Sequence, residues 1–341
     1  MHSLGVIRFP HINEHVKLAG GMEKIFPDVF NKYILELSPM VCQTILFEKL
    51  GLKVEEIQFP FLIKDKDKMS RARFERAIIR ITKVLHQKGI TEIFFDKGTI
   101  QLDLEEAFLR IEKSLRILDG IDFYGVYIVE ILNYVCKKMG IKLQNLPVTL
   151  ILDDADDFFR NILKDLCTKV RFLSIISDDS ENFIPVANEI YSEIGLVIRL
   201  DTNMKSKKGD YGIIINFSKN KNFVNANKLS RKYIILNFGT EFSNNYNGIL
   251  ITDIIIRSKS NDIKKYSWTQ NPAFCEALGY KLVGADNKDK TELLKKQKKM
   301  ITGLKAAGYE ICGIKGVRGE IKTEVLADFG EMIKPKIVNK Q

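Results

Sequence analysis

The strongest constraint on the fold lies at residues 148–160, which read VTLILDDADDFFR. Five apolar residues are followed by an acidic turn and then by a segment with helical periodicity. The chain goes on to alternate short apolar runs with amphipathic segments. In that setting the stretch is typical of the first strand, turn and helix of a parallel sheet. The turn of such a unit lies at the sheet edge where ligands bind.

The segments after this turn continue the alternation. The pattern predicts helices at 158–166 and 184–194, and short apolar strands at 172–176, 197–200, 213–217, 233–238 and 248–256. Strands of a parallel sheet read as continuous apolar runs, because helices cover both faces of the sheet. We therefore predict a Rossmann-like parallel sheet domain over residues 121–256.

The turn itself does not have the composition of a dinucleotide site. Such a site needs glycines, so that backbone N–H groups can approach a pyrophosphate at the helix N-terminus. This chain has Asp153, Asp154, Asp156 and Asp157 instead. Carboxylates favour the positive end of the helix dipole but repel phosphate. Helix capping is the favoured interpretation of the turn, and Mg²⁺ binding by the clustered carboxylates is the alternative.

The residues before this domain also alternate strand and helix. The patterns predict strands at 4–9, 54–63 and 90–95, and helices that include 38–50, 70–88, 104–118 and 123–139. We expect an N-terminal open α/β domain over residues 1–120. Residues 257–341 should form a helical segment that packs back toward it, because the amphipathic pattern at 291–307 needs a surface on which to bury its apolar face. The GxxG spacing at 313–316 is interpreted as a turn.

Composition limits the classes of protein that this chain can belong to. Its 341 residues favour two domains, and no apolar run approaches the length of a membrane span. The five cysteines are scattered without a C-x-x-C pair, which indicates reduced thiols and a cytoplasmic location. The net charge of +10 is interpreted as a solvated basic surface rather than a nucleic-acid interface. The expected partner is a small-molecule ligand or another protein, and the oligomeric state is left open.

Several short motifs occur in an order that resembles the shikimate dehydrogenase family. Ser38-Pro39 leads to the LFEKLGL of residues 46–52, and the GITEIFFDK of residues 89–97 ends in a lysine. Leu118-Asp-Gly120 precedes a segment that closes with the GIKL of residues 140–143. Residues 210–218, DYGIIINFS, are similar to the family's strand that ends in Asn-Ala-Thr. The resemblance implies a substrate domain followed by a nucleotide domain, as in amino-acid-dehydrogenase-like proteins.

The resemblance also implies roles for individual residues. Lys97 and Asp119 would be the catalytic pair that exchanges a proton with a substrate hydroxyl, provided that the lysine has a lowered pKa. The matched positions imply Ser38 and Asn216 as substrate-binding residues and Ser218 as a cofactor-binding residue. We expect a cleft lined by Lys97, Asp119 and Asn216. The chain departs from the family at the missing glycine-rich loop, and at Cys42 and Gln43, where the family has histidine and asparagine.

Two further positions allow a functional and a structural interpretation. Asp178 follows the second strand of the predicted nucleotide unit, where a dinucleotide site places its ribose-binding acid; helix capping by Asp179 and Ser180 is the alternative. His11, Glu14 and His15 match the H-x-x-E-H pattern of inverted zincins. The leading hypothesis is a ligand-sensing or partner-binding relative without catalysis and without a cofactor. An NAD(P)-dependent oxidoreductase with an atypical phosphate loop and a metal-dependent hydrolase are the alternatives.

Overall fold

The computed structural model describes most of the chain: residues 2–9, 42–61, 70–96, 102–203, 210–219, 229–239, 246–284 and 297–338. Its contacts divide the chain into two compact units. Unit 1 comprises Met1–Gly120 and Ser260–Lys281, and unit 2 comprises Ile121–Lys259 and Leu282–Gln341. The predicted fold class is confirmed, since one unit is a small open α/β domain and the other contains a Rossmann-like parallel sheet.

Unit 1 is built on a five-stranded sheet with the order β2-β3-β1-β4-β5. All neighbouring pairs are parallel except β2 and β3, which are antiparallel. Its strands are β1 (His2–Arg8), β2 (Cys42–Phe47), β3 (Leu52–Gln58), β4 (Glu92–Phe95) and β5 (Arg116–Leu118). Its helices are α1 (Arg71–Gln87), α2 (Leu102–Ile111), α7 (Asn261–Lys264) and most of α8 (Pro272–Val283), with 3-10 turns at Glu48–Leu50 and Ser267–Gln270.

The helix predicted over residues 38–50 is wrong for the part of that range that the structure describes. Cys42–Phe47 form strand β2 there, and Glu48–Leu50 form a 3-10 turn. Ile45 and Phe47 are buried while Leu46 between them is 53% exposed, which is the alternation of a strand with one covered face. The chain then turns at Gly51, whose φ of +60° suits glycine, and returns as β3. Buried and exposed residues of β2 therefore alternate with a period of two, and not with the helical period that the prediction assumed.

Unit 2 contains a six-stranded sheet in which every pair of neighbours is parallel. Its order is β11-β10-β9-β6-β7-β8, so β7 and β8 lie on one side of β6, and β9, β10 and β11 lie on the other. This is the strand order of the Rossmann fold. The strands are β6 (Val148–Ile151), β7 (Leu173–Ile176), β8 (Ile198–Asp201), β9 (Gly212–Asn216), β10 (Tyr233–Asn237) and β11 (Ile249–Ile251).

The remaining elements of unit 2 are helices and a second, antiparallel sheet. The three strands of that sheet are β12 (Asp253–Ser258), β13 (Tyr309–Gly316) and β14 (Gly319–Glu320). The helices are α3 (Ile121–Val126), α4 (Ile128–Met139), α5 (Asp157–Cys167), α6 (Ile184–Ile194), α9 (Gln297–Ala306) and α10 (Thr323–Val338), with 3-10 turns at Leu143–Asn145 and Ser180–Phe183. Residues 313–316 lie in β13 and not in the turn that their GxxG spacing suggested. Within the described ranges, none of the helices combines the length and the apolar character that a membrane span requires.

Helix α3 lies very close to α5, and Gly125 allows this approach. A Cβ atom on Gly125 would lie 2.6 Å from Cζ of Phe158 and 2.7 Å from Cδ1 of Ile162. Both side chains are almost fully buried, so neither can move aside without disturbing its own neighbours. Glycine at this position is therefore required by packing, even though glycine weakens a helix relative to alanine.

We predict that Gly125→Ala destabilises the protein. The better helix propensity of alanine would contribute about 1 kcal/mol, whereas overpacking costs about 1–3 kcal/mol, and the two contacts below 3 Å place this site at the upper end. The urea midpoint followed by far-UV circular dichroism should fall. Gly303→Ala in α9 is the matched control, because the nearest atom to its Cβ would be Cδ1 of Leu282 at 3.1 Å. Equal midpoints for the two variants would contradict the prediction.

Candidate functional site

The candidate site lies at the carboxyl ends of β6 and β9. These strands are neighbours in the sheet, and the strand order reverses between them. At such a switch point the connections leave toward opposite faces, which opens a crevice where Rossmann-type proteins bind their ligands. The chain leaves β6 at Leu152 and enters the acidic turn at Asp153, and it leaves β9 through Phe217 and Ser218.

Asp153 spans the switch point. Its Oδ1 accepts a hydrogen bond from the hydroxyl of Ser218, and its Oδ2 accepts one from the backbone N–H of Lys219 at 2.7 Å. Ser218 is fully buried, whereas Asp153 is exposed. The carboxylate therefore ties the loop after β9 to the loop after β6. It receives two donors at the sheet edge where ligands bind in folds of this class.

A row of hydrogen-bonded polar side chains extends from Asp153 along the sheet edge. The amide of Asn216 donates to Oδ1 of Asn237 at 2.7 Å, and Oδ1 of Asn216 accepts from the backbone N–H of Ser218 at 3.1 Å. Ser177 makes a longer contact of 3.5 Å to the backbone carbonyl of Asp153. We call Asp153, Ser177, Asn216, Ser218 and Asn237 the switch-point network. Four of its members are buried, so their hydrogen bonds to each other offset the cost of removing them from water.

Two further aspartates of the acidic turn have local roles. Asp156 is the N-cap of α5, and its side chain accepts from the backbone N–H of Phe159 at 2.8 Å. The predicted helix capping is therefore confirmed for this residue. Asp157 lies in the first turn and pairs with Arg160 at 3.7 Å. In the part of the chain that the structure describes, no three His, Cys, Asp or Glu side chains are grouped as metal ligands would be.

Aromatic rings form one wall beside the network. Tyr124 of α3 stacks on Phe238, with ring centroids 3.9 Å apart and an interplanar angle of 10°. Phe238 follows β10 directly and also contacts Phe217. The hydroxyl of Tyr124 donates to Asp253 at 2.7 Å, which fixes the ring in place. The strand ends are thus covered by aromatic side chains on the side of α3.

Glycine is required next to this wall, at Gly239. A Cβ atom on this residue would lie only 2.0 Å from the backbone oxygen of Ser218. The loop after β10 therefore runs against the loop after β9 with no room for a side chain. Gly239, which permits this close backbone approach, follows the fifth strand of the sheet.

The predicted site residues fall into three groups. Asn216 and Ser218 belong to the switch-point network, where they bond to other side chains of the chain. Asp178 and Asp119 are exposed residues that follow β7 and β5, so they belong to unit 2 and unit 1 respectively. Lys97, Ser38 and the H-x-x-E-H residues His11, Glu14 and His15 lie outside the described residues. The catalytic pair, the cleft and the metal site therefore remain predictions.

The sequence did not identify the whole network. Asn237 and Ser177 were not singled out, although each stands at or just after the end of an apolar strand, as Asn216 and Ser218 do. Polar residues at the same end of neighbouring parallel strands are the available signal. Asp179 is the N-cap residue of the 3-10 turn Ser180–Phe183, as the capping interpretation predicted, but its side chain accepts from the Asn182 amide and makes no capping bond to the backbone.

No protein-family model matches the chain, and no curated protein matches it. Similar solved structures include L-tryptophan dehydrogenase from Nostoc punctiforme, at 13% identity and a TM-score of 0.32 over 99% of this chain and 88% of that chain. They include a chorismate mutase/shikimate 5-dehydrogenase fusion protein from Clostridium acetobutylicum, at 12% identity and a TM-score of 0.25 over 99% of both chains. They also include aspartate transcarbamoylase from Trypanosoma cruzi, at 9% identity and a TM-score of 0.28 over 88% of this chain and 82% of that chain.

A shikimate 5-dehydrogenase fusion protein, from the family that the sequence motifs resemble, is thus among these structures. The identities and TM-scores are low, and the similar structures include a transferase as well as dehydrogenases. The assignment of chemistry therefore rests on the strand order and on the hydrogen bonds of the site.

We predict that Asp153→Ala releases the loop after β9. The backbone N–H of Lys219 loses its acceptor. A hydrogen bond to a charged group contributes about 1.5–3 kcal/mol, and this range is an upper limit here because Asp153 is exposed. Hydrogen exchange at the Lys219 amide, followed by NMR, should become on the order of tenfold faster or more. Asp154→Ala, in the same turn, is the control and should leave that amide unchanged. Unchanged exchange in both variants would show that the tie does not form in solution.

Proposed function

We propose that this chain is a Rossmann-like relative of shikimate-type dehydrogenases that does not bind a dinucleotide through its pyrophosphate, and that it acts as a non-catalytic ligand-sensing or partner-binding protein. One observation carries the proposal. The Asp153 carboxylate accepts the Ser218 hydroxyl and the Lys219 N–H at the switch point. The chain thus provides its own anion where a dinucleotide fold would receive a phosphate.

Magnitudes support the exclusion of a phosphate. Two unit charges of the same sign at about 4 Å repel by about 1 kcal/mol in bulk water and about 4 kcal/mol near a protein surface. The attraction of a helix N-terminus for an anion is about 0.3–1 kcal/mol at an exposed site. At α5 that attraction is already shared by Asp156 and Asp157. Repulsion therefore outweighs attraction for a pyrophosphate placed against this turn.

The alternative is an active NAD(P)-dependent oxidoreductase with an atypical phosphate loop. The strand order of the sheet in unit 2 favours it, because that order is found in dinucleotide-binding domains. In this case the acidic turn would have to move away from the crevice when the nucleotide binds. The two hypotheses differ in whether a reduced nicotinamide dinucleotide binds to the purified protein.

We predict that neither NADH nor NADPH binds with a Kd of about 10 μM or tighter, which corresponds to about 7 kcal/mol. Titration calorimetry at physiological salt measures this directly. A tighter Kd for either nucleotide would contradict the proposal and favour the oxidoreductase.

Asp153→Asn tests the physical cause of the exclusion. The substitution keeps the size of the side chain but removes its negative charge, so the Kd for NADH should fall by on the order of tenfold or more. Asp154→Asn is the matched control, since it removes the same charge from a residue beside the tie. An equal gain in both variants would show that the general charge of the turn, and not Asp153 in the crevice, excludes the nucleotide.

A further inference from the structure

A cavity of about 440 Å³ lies within unit 2, apart from the residues of the switch-point network. It is formed by α3, α4 and α9 together with strands β12 and β13 of the antiparallel sheet. Small-molecule sites in proteins occupy about 300–1,000 Å³ and are mostly apolar with a few polar groups. The volume of this cavity therefore suits a small organic ligand.

The walls of the cavity are aromatic and aliphatic. Phe123 and Tyr127 stack on each other with ring centroids 4.5 Å apart, and both are buried. Leu304 of α9 and Tyr309 of β13 are also buried and face the same space. The hydroxyl of Tyr134 donates to the backbone carbonyl of Cys312 at 2.8 Å, so its polar end is directed to the protein. These flat, fixed surfaces suit a planar apolar body.

The rim of the cavity is charged, and its lysines outnumber its carboxylates. Lys259 and Glu310 form an ion pair at 2.8 Å, which leaves no net charge from these two residues. Lys137 and Lys305 also line the cavity, together with Glu130. Burial raises the pKa of Glu130, even though nearby Lys305 acts in the opposite direction. The rim therefore has a net positive charge at neutral pH.

We propose that this cavity is a binding site for a small organic acid with a flat apolar body. The aromatic wall formed by Phe123 and Tyr127 holds the apolar body, and the excess of lysine at the rim places the anionic group at the mouth. This site is separate from the crevice at the ends of β6 and β9, and it does not depend on whether that crevice binds a nucleotide. It goes beyond the proposed function by specifying a second location and the chemistry of a ligand.

Two fluorescent probes test the two parts of this chemistry on the full-length chain. The sulfonate 8-anilinonaphthalene-1-sulfonate has an aromatic body and an anionic group, and N-phenyl-1-naphthylamine has nearly the same body without charge. Saturable binding of the sulfonate at one site per chain is expected, with a Kd on the order of tenfold tighter than that of the neutral probe. Equal affinity for the two probes would overturn the anionic part of the proposal.

Asn133→Trp tests the location. Asn133 is exposed at the rim of the cavity on α4, so a large side chain can fill the mouth without entering the protein core. The variant should keep the far-UV circular dichroism spectrum and the Tm of the wild type and lose at least tenfold in affinity for the sulfonate probe. Asn133→Ala is the control. It should keep the far-UV circular dichroism spectrum of the wild type and bind the sulfonate probe with the affinity of the wild type. Unchanged affinity in a folded Asn133→Trp variant would overturn the site, and if that variant does not fold, Asn133→Phe takes its place.

A paired substitution tests the charge of the rim. Lys137→Gln with Lys305→Gln removes two positive charges from the cavity, and the affinity for the sulfonate should fall several-fold to about tenfold while that for the neutral probe stays constant. Lys142→Gln with Lys322→Gln lowers the net charge of the chain by the same amount at exposed residues that do not line the cavity. Equal losses in the two double variants would show that overall charge alone attracts the probe, and would overturn the assigned role of the rim.

Discussion

The carboxylate of Asp153 is the constraint on which the candidate site depends. A parallel sheet collects the ends of its strands at one edge, and the loops that leave β6 and β9 must separate there. In this chain a side chain joins the two loops, because Asp153 accepts hydrogen bonds from Ser218 and Lys219. Beside it, the buried side chains of Asn216 and Asn237 are hydrogen-bonded to each other. Asp153 and the two asparagines thus bond the ends of β6, β9 and β10 to one another within the chain.

The second unit was the easier one to predict, for a physical reason. Every residue of β9 and β10 is buried, so each strand reads as a continuous apolar run bounded by polar residues. The hydrogen bond between Asp153 and Ser218 joins residues 65 positions apart, and neither local periodicity nor composition contains that pairing. The sequence indicated which residues stand at the strand ends. The hydrogen bond between Asp153 and Ser218 follows from the strand order, which brings β6 next to β9.

The wrong predictions at residues 38–50, 104–118 and 248–256 share a cause, since each concerns an edge strand that pairs on one side. Strand β5 has three residues at the edge of its sheet, and the sequence merged it with the helix that precedes it. The predicted strand at 248–256 is two strands in different sheets, β11 and β12, separated by Thr252. Apolar runs of this length fit either a helix turn or a strand, because a period of two and a period of 3.6 differ little over three or four residues. Pairing with a distant strand decides the outcome, as it does where β2 joins β3.

Three consecutive residues of α3 connect features that are far apart in the sequence. Phe123 forms part of the wall of the apolar cavity, Tyr124 stacks on Phe238 beside the switch-point network, and Gly125 lies against α5. Close packing at Gly125 leaves the helix no freedom to approach α5 further, and the bond from Tyr124 to Asp253 holds its other side. A change in the position of α3 must therefore alter the cavity wall and the aromatic cover of the strand ends together. The cavity wall and the aromatic cover are coupled by the geometry of this short helix, because neighbouring residues on one helical turn cannot move independently.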